Sequence, residues 1–403
     1  MRCVCCHDVL WLCLLAAVLP VWADTPSGLD KSFQAQQETI GQEFADYQEG
    51  IEQAFAAYKK AYQEEFALYK GQVEAQWGEF YEGGANLWVS YEEEMQVRRV
   101  VDFERGAVQV SVLVEPSEDL AGAKARVKTS IDKLLNSTQK DAYNADQFSV
   151  RLEARLQASV SEVLTGQPSE MHLFSKQDLA GLDYKTSPYI KVTMPSTSPV
   201  QWNVTESMSG DKNIVTAGFI IPHSLKDKAD RYYDNVVKVA VKERLPAELI
   251  LAVIETESSF NPMAKSHVPA YGLMQIVPRS AGKDATRYLY GESKVLAPSY
   301  LYEVDKNIRV GAAYLHVLYY RYMKKIKDPV SRLYCAIAAY NTGASNVGFA
   351  FIGKKSFSKS VDEINRMTSD EVFQTLVENL PYVETRKYVK KVSSRMGKYV
   401  KEI

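Results

Sequence analysis

An aromatic residue returns every eleven positions near the start of this chain, and few patterns restrict a fold as tightly. Cut into elevens from Phe33, the first position holds Phe33, Phe44, Phe55, Phe66 and Trp77. The fourth holds Gln36, Tyr47, Tyr58, Tyr69 and Phe80, and the eighth Ile40, Ile51, Tyr62, Val73 and Gly84. Gln, Glu, Lys and Ala fill most of the rest. Steps of three, four and four average roughly 3.67 residues per turn, so the stripe runs almost straight along one helix face. Four repeats predict a rod of about 65 Å. A lone helix would leave that stripe in water. The pattern therefore predicts a coiled-coil spacer or self-association through this helix. The alternative is a long helix laid on the chain's own domains. Gly83-Gly84 is the expected end or hinge of the rod.

The chain has 403 residues, enough for two or three domains. With a net charge of −2 and 24% charged residues, it carries no basic excess that would point to nucleic acid or an anionic membrane surface. Residues 1–23 combine Arg2, an apolar run from Val9 to Val18 and Val21-Trp22-Ala23. That is the layout of an export signal, and the run is short for a membrane span. Cys3, Cys5, Cys6 and Cys13 lie in this segment, so the mature chain would keep only Cys335 and form no internal disulfide. Leu10-Trp11-Leu12-Cys13 is a poor lipid-attachment sequence, because bulky residues precede the cysteine. Membrane attachment is left open, and export is the expectation.

After the rod the character changes. Met95–Phe103 and Ala107–Val114 are β-rich runs around Glu104-Arg105-Gly106 and predict a hairpin. Leu120–Leu135 and Phe148–Leu164 have helical periodicity, while Tyr189–Met194 and Asn213–Ile220 read as strands. No nucleophile, metal or phosphate motif stands out there. From Leu225 helices dominate: Asp230–Glu243, Ala247–Ser258, Ser280–Tyr290, Asp305–Lys325, Ser331–Tyr340, Ser369–Glu378 and Glu384–Met396. The overall class is α+β, with a long N-terminal helix, an α+β middle and a mainly α end. The expected boundaries are 1–23, 24–87, 88–222 and 223–403.

The chemistry-bearing stretch is ILAVIETESSFNPMAKSHVPAYGLMQ, Ile250 to Gln275. Ile250, Val253, Ile254 and Glu257 fall at i, i+3, i+4 and i+7, which places one carboxylate on an apolar face. Desolvation would raise its pKa and keep a proton available near neutral pH. Glu255 is rotated about 200° away. Asn261-Pro262 is the expected break, and Gly272-Leu273-Met274-Gln275 a second helical start. Four segments occur in order: Glu257-Ser258-Ser259-Phe260-Asn261-Pro262, Gly272–Gln275, Ala339-Tyr340-Asn341-Thr342-Gly343 and Glu384-Thr385-Arg386-Lys387-Tyr388.

Together these resemble the lytic transglycosylase domain of the lysozyme-like superfamily, over roughly Leu225 to the C-terminus. The preceding α+β region resembles the domain before the catalytic one in membrane-bound members of that family. The likeness lies in Trp88 through the hairpin and in Ile214–Ile221 leading into Pro222 and His223. The resemblance implies a lysozyme-like catalytic domain that cleaves peptidoglycan glycan strands with one carboxylate and no cofactor or metal. Glu257 would protonate the glycosidic oxygen and then accept a proton from the substrate's own C6 hydroxyl. Tyr388 would point its hydroxyl at Glu257. Gly272 would let backbone approach the glycan. Gln275 offers an amide to the site. Tyr340 and Asn341 supply a stacking face and polar groups, and Ser266 reaches toward the N-acetyl group. Ser258 stands with these as a substrate-site residue, with capping or support of Glu257 as its alternative. Pro269 and Thr342 depart from the usual family residues without removing chemistry. Two rivals remain: a hydrolytic muramidase of goose-lysozyme type, which shares the single Glu, and a non-catalytic murein-binding scaffold.

Overall fold

The computed structural model describes residues 28–160, 162–179, 184–185, 191–192, 201–206, 212–221, 225–266 and 268–400. The expected export signal, Pro222, His223 and His267 lie outside the described residues. The chain divides into two units, residues 1–50 and 51–403.

Helix α1 runs from Gly28 to Trp77 without interruption, 50 residues in all. It stops at Trp77 rather than at Gly83-Gly84. Gly78 takes the left-handed conformation (φ 74°) and returns its N–H to the Glu74 carbonyl at 2.8 Å, a glycine stop. Trp77 is fully buried, with its indole N–H on the Met95 carbonyl at 2.6 Å and Arg98 over its ring. The aromatic stripe from Phe55 onward is spent inside the chain. Phe55, Tyr58, Tyr62, Tyr69 and Val73 are buried, and Tyr62, Phe66 and Tyr69 surround the ring of Phe148. Glu65, also buried, pairs with Arg151 and Arg155. Between Phe55 and Trp77 the coiled-coil reading is therefore corrected. The face that would meet a second helix already meets this chain's own domain.

The next region is an antiparallel sheet of order β1-β2-β3-β8-β7. Its strands are β1 (Leu87–Glu92), β2 (Val97–Asp102), β3 (Ala107–Val114), β7 (Gln201–Glu206) and β8 (Asn213–Ile220). The predicted hairpin is β2-β3. Asp102 fixes its turn by accepting from the Glu104 and Arg105 N–H groups, and Gly106 adopts φ 70°. β2 is buried on nearly every residue, so Arg98 and Arg99 are held by Glu79 and Glu92 at 2.9 and 2.6 Å. Helices α2 (Leu120–Asn136), α3 (Gln139–Ala145) and α4 (Gln147–Ser159) follow. The helix expected to reach Leu164 ends at Ser159. Val163-Leu164 (β4) instead pairs in parallel with Val295-Leu296 (β9) of the helical region. Short α5 (Lys176–Leu179) precedes a small ladder of β5 (Tyr184–Lys185) and β6 (Lys191–Val192). Only β6 of the strand expected over Tyr189–Met194 is described.

The helical region opens with α6 (Leu225–Glu243) and α7 (Ala247–Ser258). A π-helical turn, Pro278–Gly282, leads into α8 (Lys283–Tyr290). A short α9 (Pro298–Tyr302) comes next, and the helix expected over Asp305–Lys325 is two pieces, α10 (Val304–His316) and a π segment, Val317–Tyr322. Then come α11 (Pro329–Thr342), α12 (Ala344–Ile352), α13 (Phe357–Ile364), α14 (Ser369–Asn379) and α15 (Val383–Met396). α12 and α13 are additions to the expected list. One hydrophobic cluster runs from Phe55 through the sheet to Val392.

Candidate active site

Helix α7 is buried nearly all round. Ile250, Val253 and Ile254 are fully covered, and so are Leu249, Leu251 and Ala252. Glu257 thus ends a helix that has little solvent anywhere along it. The helix breaks one residue past Ser258, before Asn261-Pro262. Ser259 and Phe260 both take positive φ (50° and 64°), an unfavourable conformation for residues with a Cβ. Surrounding contacts hold the turn. Phe260 stacks on Tyr232, and Asn261 donates to the Ala85 carbonyl at 3.1 Å while accepting from the Met263 N–H. Ala85 lies just before β1, so the preceding region grips the turn at the end of α7.

Glu257 keeps partial solvent access, yet its carboxyl is enclosed enough that burial pushes its pKa up to about 8. Tyr388 opposes that shift and the negative charge of Glu384 adds to it. Tyr388, on α15, is buried beside the carboxyl. Its hydroxyl comes close enough to the carboxyl to favour the ionised form, although among the described residues it meets no partner at ordinary hydrogen-bond length and angle. Burial first, then the nearby Glu257 charge, pushes both Tyr388 and Tyr340 far above the usual phenol range, so both remain neutral donors. Glu255, on the other side of α7, is a buried ionic hub. It takes Arg395 at 3.0 Å, Lys398 at 3.1 Å and the Tyr399 hydroxyl at 2.7 Å, which fastens α15 to α7.

Gly272–Gln275 is a tight loop and not a helical start. Tyr271 and Ile276 exchange N–H···O=C bonds at 3.1 Å across its base. Inside it Gly272 and Gln275 have φ 73° and 47°. Asn307 of α10 fills the loop. It accepts from the Met274 N–H at 2.8 Å and donates to the carbonyls of Tyr271 and Leu301 at 2.8 and 2.7 Å. A Cβ on Gly272 would overlap the Asn307 amide and the Leu301 carbonyl. The glycine is required to seat Asn307.

The loop is joined to Glu257 from two sides. Ser258 donates to the Leu273 carbonyl at 2.8 Å and to Ile254 at 3.1 Å, and is wholly buried. It supports the helix end, the alternative role expected for it beside that of a substrate-site residue. Tyr340 donates to the Met274 carbonyl at 2.8 Å. Gln275, partly exposed, turns its amide N–H onto the Gly272 carbonyl at 3.1 Å. Asn341, partly exposed, accepts from Thr385 at 2.7 Å, which links α11 to α15. Glu257, Gly272, Gln275, Tyr340, Asn341 and Tyr388 thus belong to one connected constellation. Ser266 stands apart, with its hydroxyl on the Val268 carbonyl and its own carbonyl meeting Tyr62 of α1. No contact among the described residues ties it to Glu257.

Sequence reasoning missed Asn307, and it named Glu384 and Thr385 in the last motif without giving either a role. Asn307 carried a signal. It is a lone amide on the buried face of α10, four residues before Gly311, and a Cβ on Gly311 would strike Met274 of the same loop. Among the described residues no group of three His, Cys, Asp or Glu is placed to hold a metal ion.

Residues 234–362 match the model of the transglycosylase SLT domain. That span carries Glu257, the 271–276 loop, Asn307, Tyr340 and Asn341, and stops before Tyr388. Membrane-bound lytic murein transglycosylase C of Salmonella arizonae is 32% identical over 334 residues, covering 81% of this chain and 86% of that protein. The chain belongs to this family. The Pectobacterium atrosepticum relative is 30% identical over 330 residues, covering 81% and 87%. The chain is also similar to the 70 kDa soluble lytic transglycosylase of Escherichia coli, at 26% identity and a TM-score of 0.32 over 42% of this chain and 24% of that one. Family membership makes the chain a peptidoglycan lytic transglycosylase. Among the described residues no helix is long and apolar enough to cross a membrane.

Proposed function

We propose that this enzyme cleaves the MurNAc-GlcNAc β-1,4 bond of peptidoglycan without water, leaving 1,6-anhydro-MurNAc ends, and that Glu257 serves as both acid and base. The observation that carries the reading is the Glu257 carboxyl, held protonated near neutral pH by burial and flanked by neutral tyrosine hydroxyls. Retaining and inverting glycosidases usually pair two carboxylates about 5 to 10 Å apart. The other carboxylate acting on Glu257 is Glu384, which is exposed on α15 and acts by repulsion. A single-carboxylate route fits that arrangement.

In this route Glu257 gives its proton to the glycosidic oxygen as the C1–O bond breaks. The N-acetyl carbonyl oxygen of the same sugar bonds to C1 and holds the developing positive charge. The C6 hydroxyl then attacks C1, the acetamido bond breaks, and the hydroxyl proton passes to the Glu257 carboxylate. The carboxyl ends protonated, and no water is consumed. A pKa near working pH serves both transfers. Tyr388 has its hydroxyl within reach of the carboxyl, where it favours the ionised form, and its role is to donate to the carboxylate formed midway. Gln275 and Asn341 are the partly exposed amides that meet the sugar, Tyr340 lends a ring face, and Ser266 lies at the outer edge of the substrate path. The family name and the predicted export signal favour action in the periplasm, at the envelope.

Mass spectrometry of digested peptidoglycan tests the reading. Anhydro ends with no incorporation of oxygen from labelled water support it. Reducing ends carrying the label would replace it with a goose-type muramidase. Absence of cleavage by the intact chain would leave a murein-binding scaffold.

A further inference from the structure

We infer that Tyr58 of α1 is a positioning residue for the active-site loop, acting through a buried hydroxyl pair with Tyr271. Tyr58 donates to the Tyr271 hydroxyl at 2.9 Å, and both residues are buried. The ring of Tyr302 packs edge-on against Tyr271, so the pair sits among aromatic carbon. A hydroxyl in such surroundings loses its water on folding, and leaving it unpaired is costly.

Tyr271 is the base of the loop. Its backbone pairs with Ile276 and its carbonyl accepts from Asn307. Shifting its ring shifts the Leu273 and Met274 carbonyls. Those carbonyls receive Ser258 and Tyr340, the two groups that brace the end of α7 at Glu257. The chain of contacts from α1 to the carboxyl is therefore continuous: Tyr58, Tyr271, the loop, Ser258 and Tyr340, Glu257. Two further contacts pin α1 to the same region. Tyr62 donates to the Ser266 carbonyl at 3.4 Å, and Glu52 pairs with Lys283 just past the loop. The transglycosylase domain match begins at residue 234, so α1 supports the catalytic loop from outside the family domain. The aromatic repeat thus has a catalytic consequence beyond packing.

The inference rests on Glu257 as the catalytic carboxyl. Failure of that assignment shows separately, as retained cleavage by Glu257→Gln. The test uses the full chain with Tyr58→Phe, Tyr271→Phe and the double variant, assayed on purified peptidoglycan, with thermal melts of each. Either single substitution strands one buried hydroxyl, whereas the double leaves a matched apolar pair. Each single variant should lose about ten-fold in kcat with KM within about two-fold, and the double should return to within about three-fold of the parent. The alkaline limb of the pH–rate profile, set by Glu257, should shift in the singles and return in the double. Parental kcat in both singles would overturn the inference. Losses that simply add in the double would do the same, as would losses that track only the folded fraction. If Tyr58→Phe does not fold, Tyr62→Phe removes the longer contact to Ser266. A fall in its kcat at constant KM supports the coupling, and an unchanged kcat overturns it.

Discussion

At the scale of the residue, Glu257 is defined by what surrounds it. Helix position put it on an apolar stripe, but the carboxyl's raised pKa comes from protein packed around the end of α7. Glu257→Gln should reduce cleavage by about three orders of magnitude or more, the range for loss of a positioned acid–base group, measured as soluble fragments released from peptidoglycan. The same substitution should stabilise the fold. The folded pKa of about 8 lies above the unfolded value of 4.5. Between those values the folded state binds more protons, so this group's contribution to stability falls as pH rises from about 4.5 to about 8. Removing the charge should raise stability by up to ~3 kcal/mol at pH 7 and change little at pH 4. Thermal melts across that range check it, and an equal gain at both ends would refute the linkage. Asn307 is the opposite case, an uncharged group doing structural work beside the chemistry. Asn307→Ala strips partners from the Met274 N–H and from two buried carbonyls. It should cost about 3 kcal/mol or more in urea unfolding and weaken activity with it.

At the scale of the element, the 271–276 loop and the end of α7 form one unit. Both use positive φ, at Ser259, Phe260, Gly272 and Gln275, and both depend on side chains from other helices to hold it. Gly272→Ala should therefore displace the loop from Asn307 and lower kcat by at least about ten-fold, since a shift of about 1 Å at a catalytic constellation has effects of that order. Retained activity would mean the loop is more yielding than its packing implies. Much here was legible beforehand. The hairpin around Gly106, the strand Asn213–Ile220 and helix Ala247–Ser258 follow from periodicity and turn residues, and the structure has all three. The helical reading of Gly272–Gln275 missed because its residues have no strong local preference. A single amide 32 positions downstream of Gln275 sets the loop's shape. Helix α4 was overextended for a similar reason. Val163-Leu164 suits either structure, and pairing with Val295-Leu296 decided for strand.

At the scale of the whole molecule, one hydrophobic cluster runs from Phe55 to Val392. α1, the sheet and the helical region are cross-linked by Tyr58 on Tyr271, Asn261 on Ala85, and Arg151 and Arg155 on Glu65. Calorimetry should accordingly show one main unfolding transition carrying the sheet and the catalytic helices together, whereas two well-separated peaks would contradict a shared core. The sequence by itself determined that a long aromatic-striped helix precedes an α+β region and a helical one. It also determined that Glu257 is the carboxylate to watch, because helical spacing and motif order are local properties written in the chain. It did not determine where the stripe is buried, that Ser258 and Gly272 serve the scaffold, or that Asn307 and Tyr58 matter. Those depend on contacts between residues far apart in sequence, and only the folded chain brings such partners within hydrogen-bond reach.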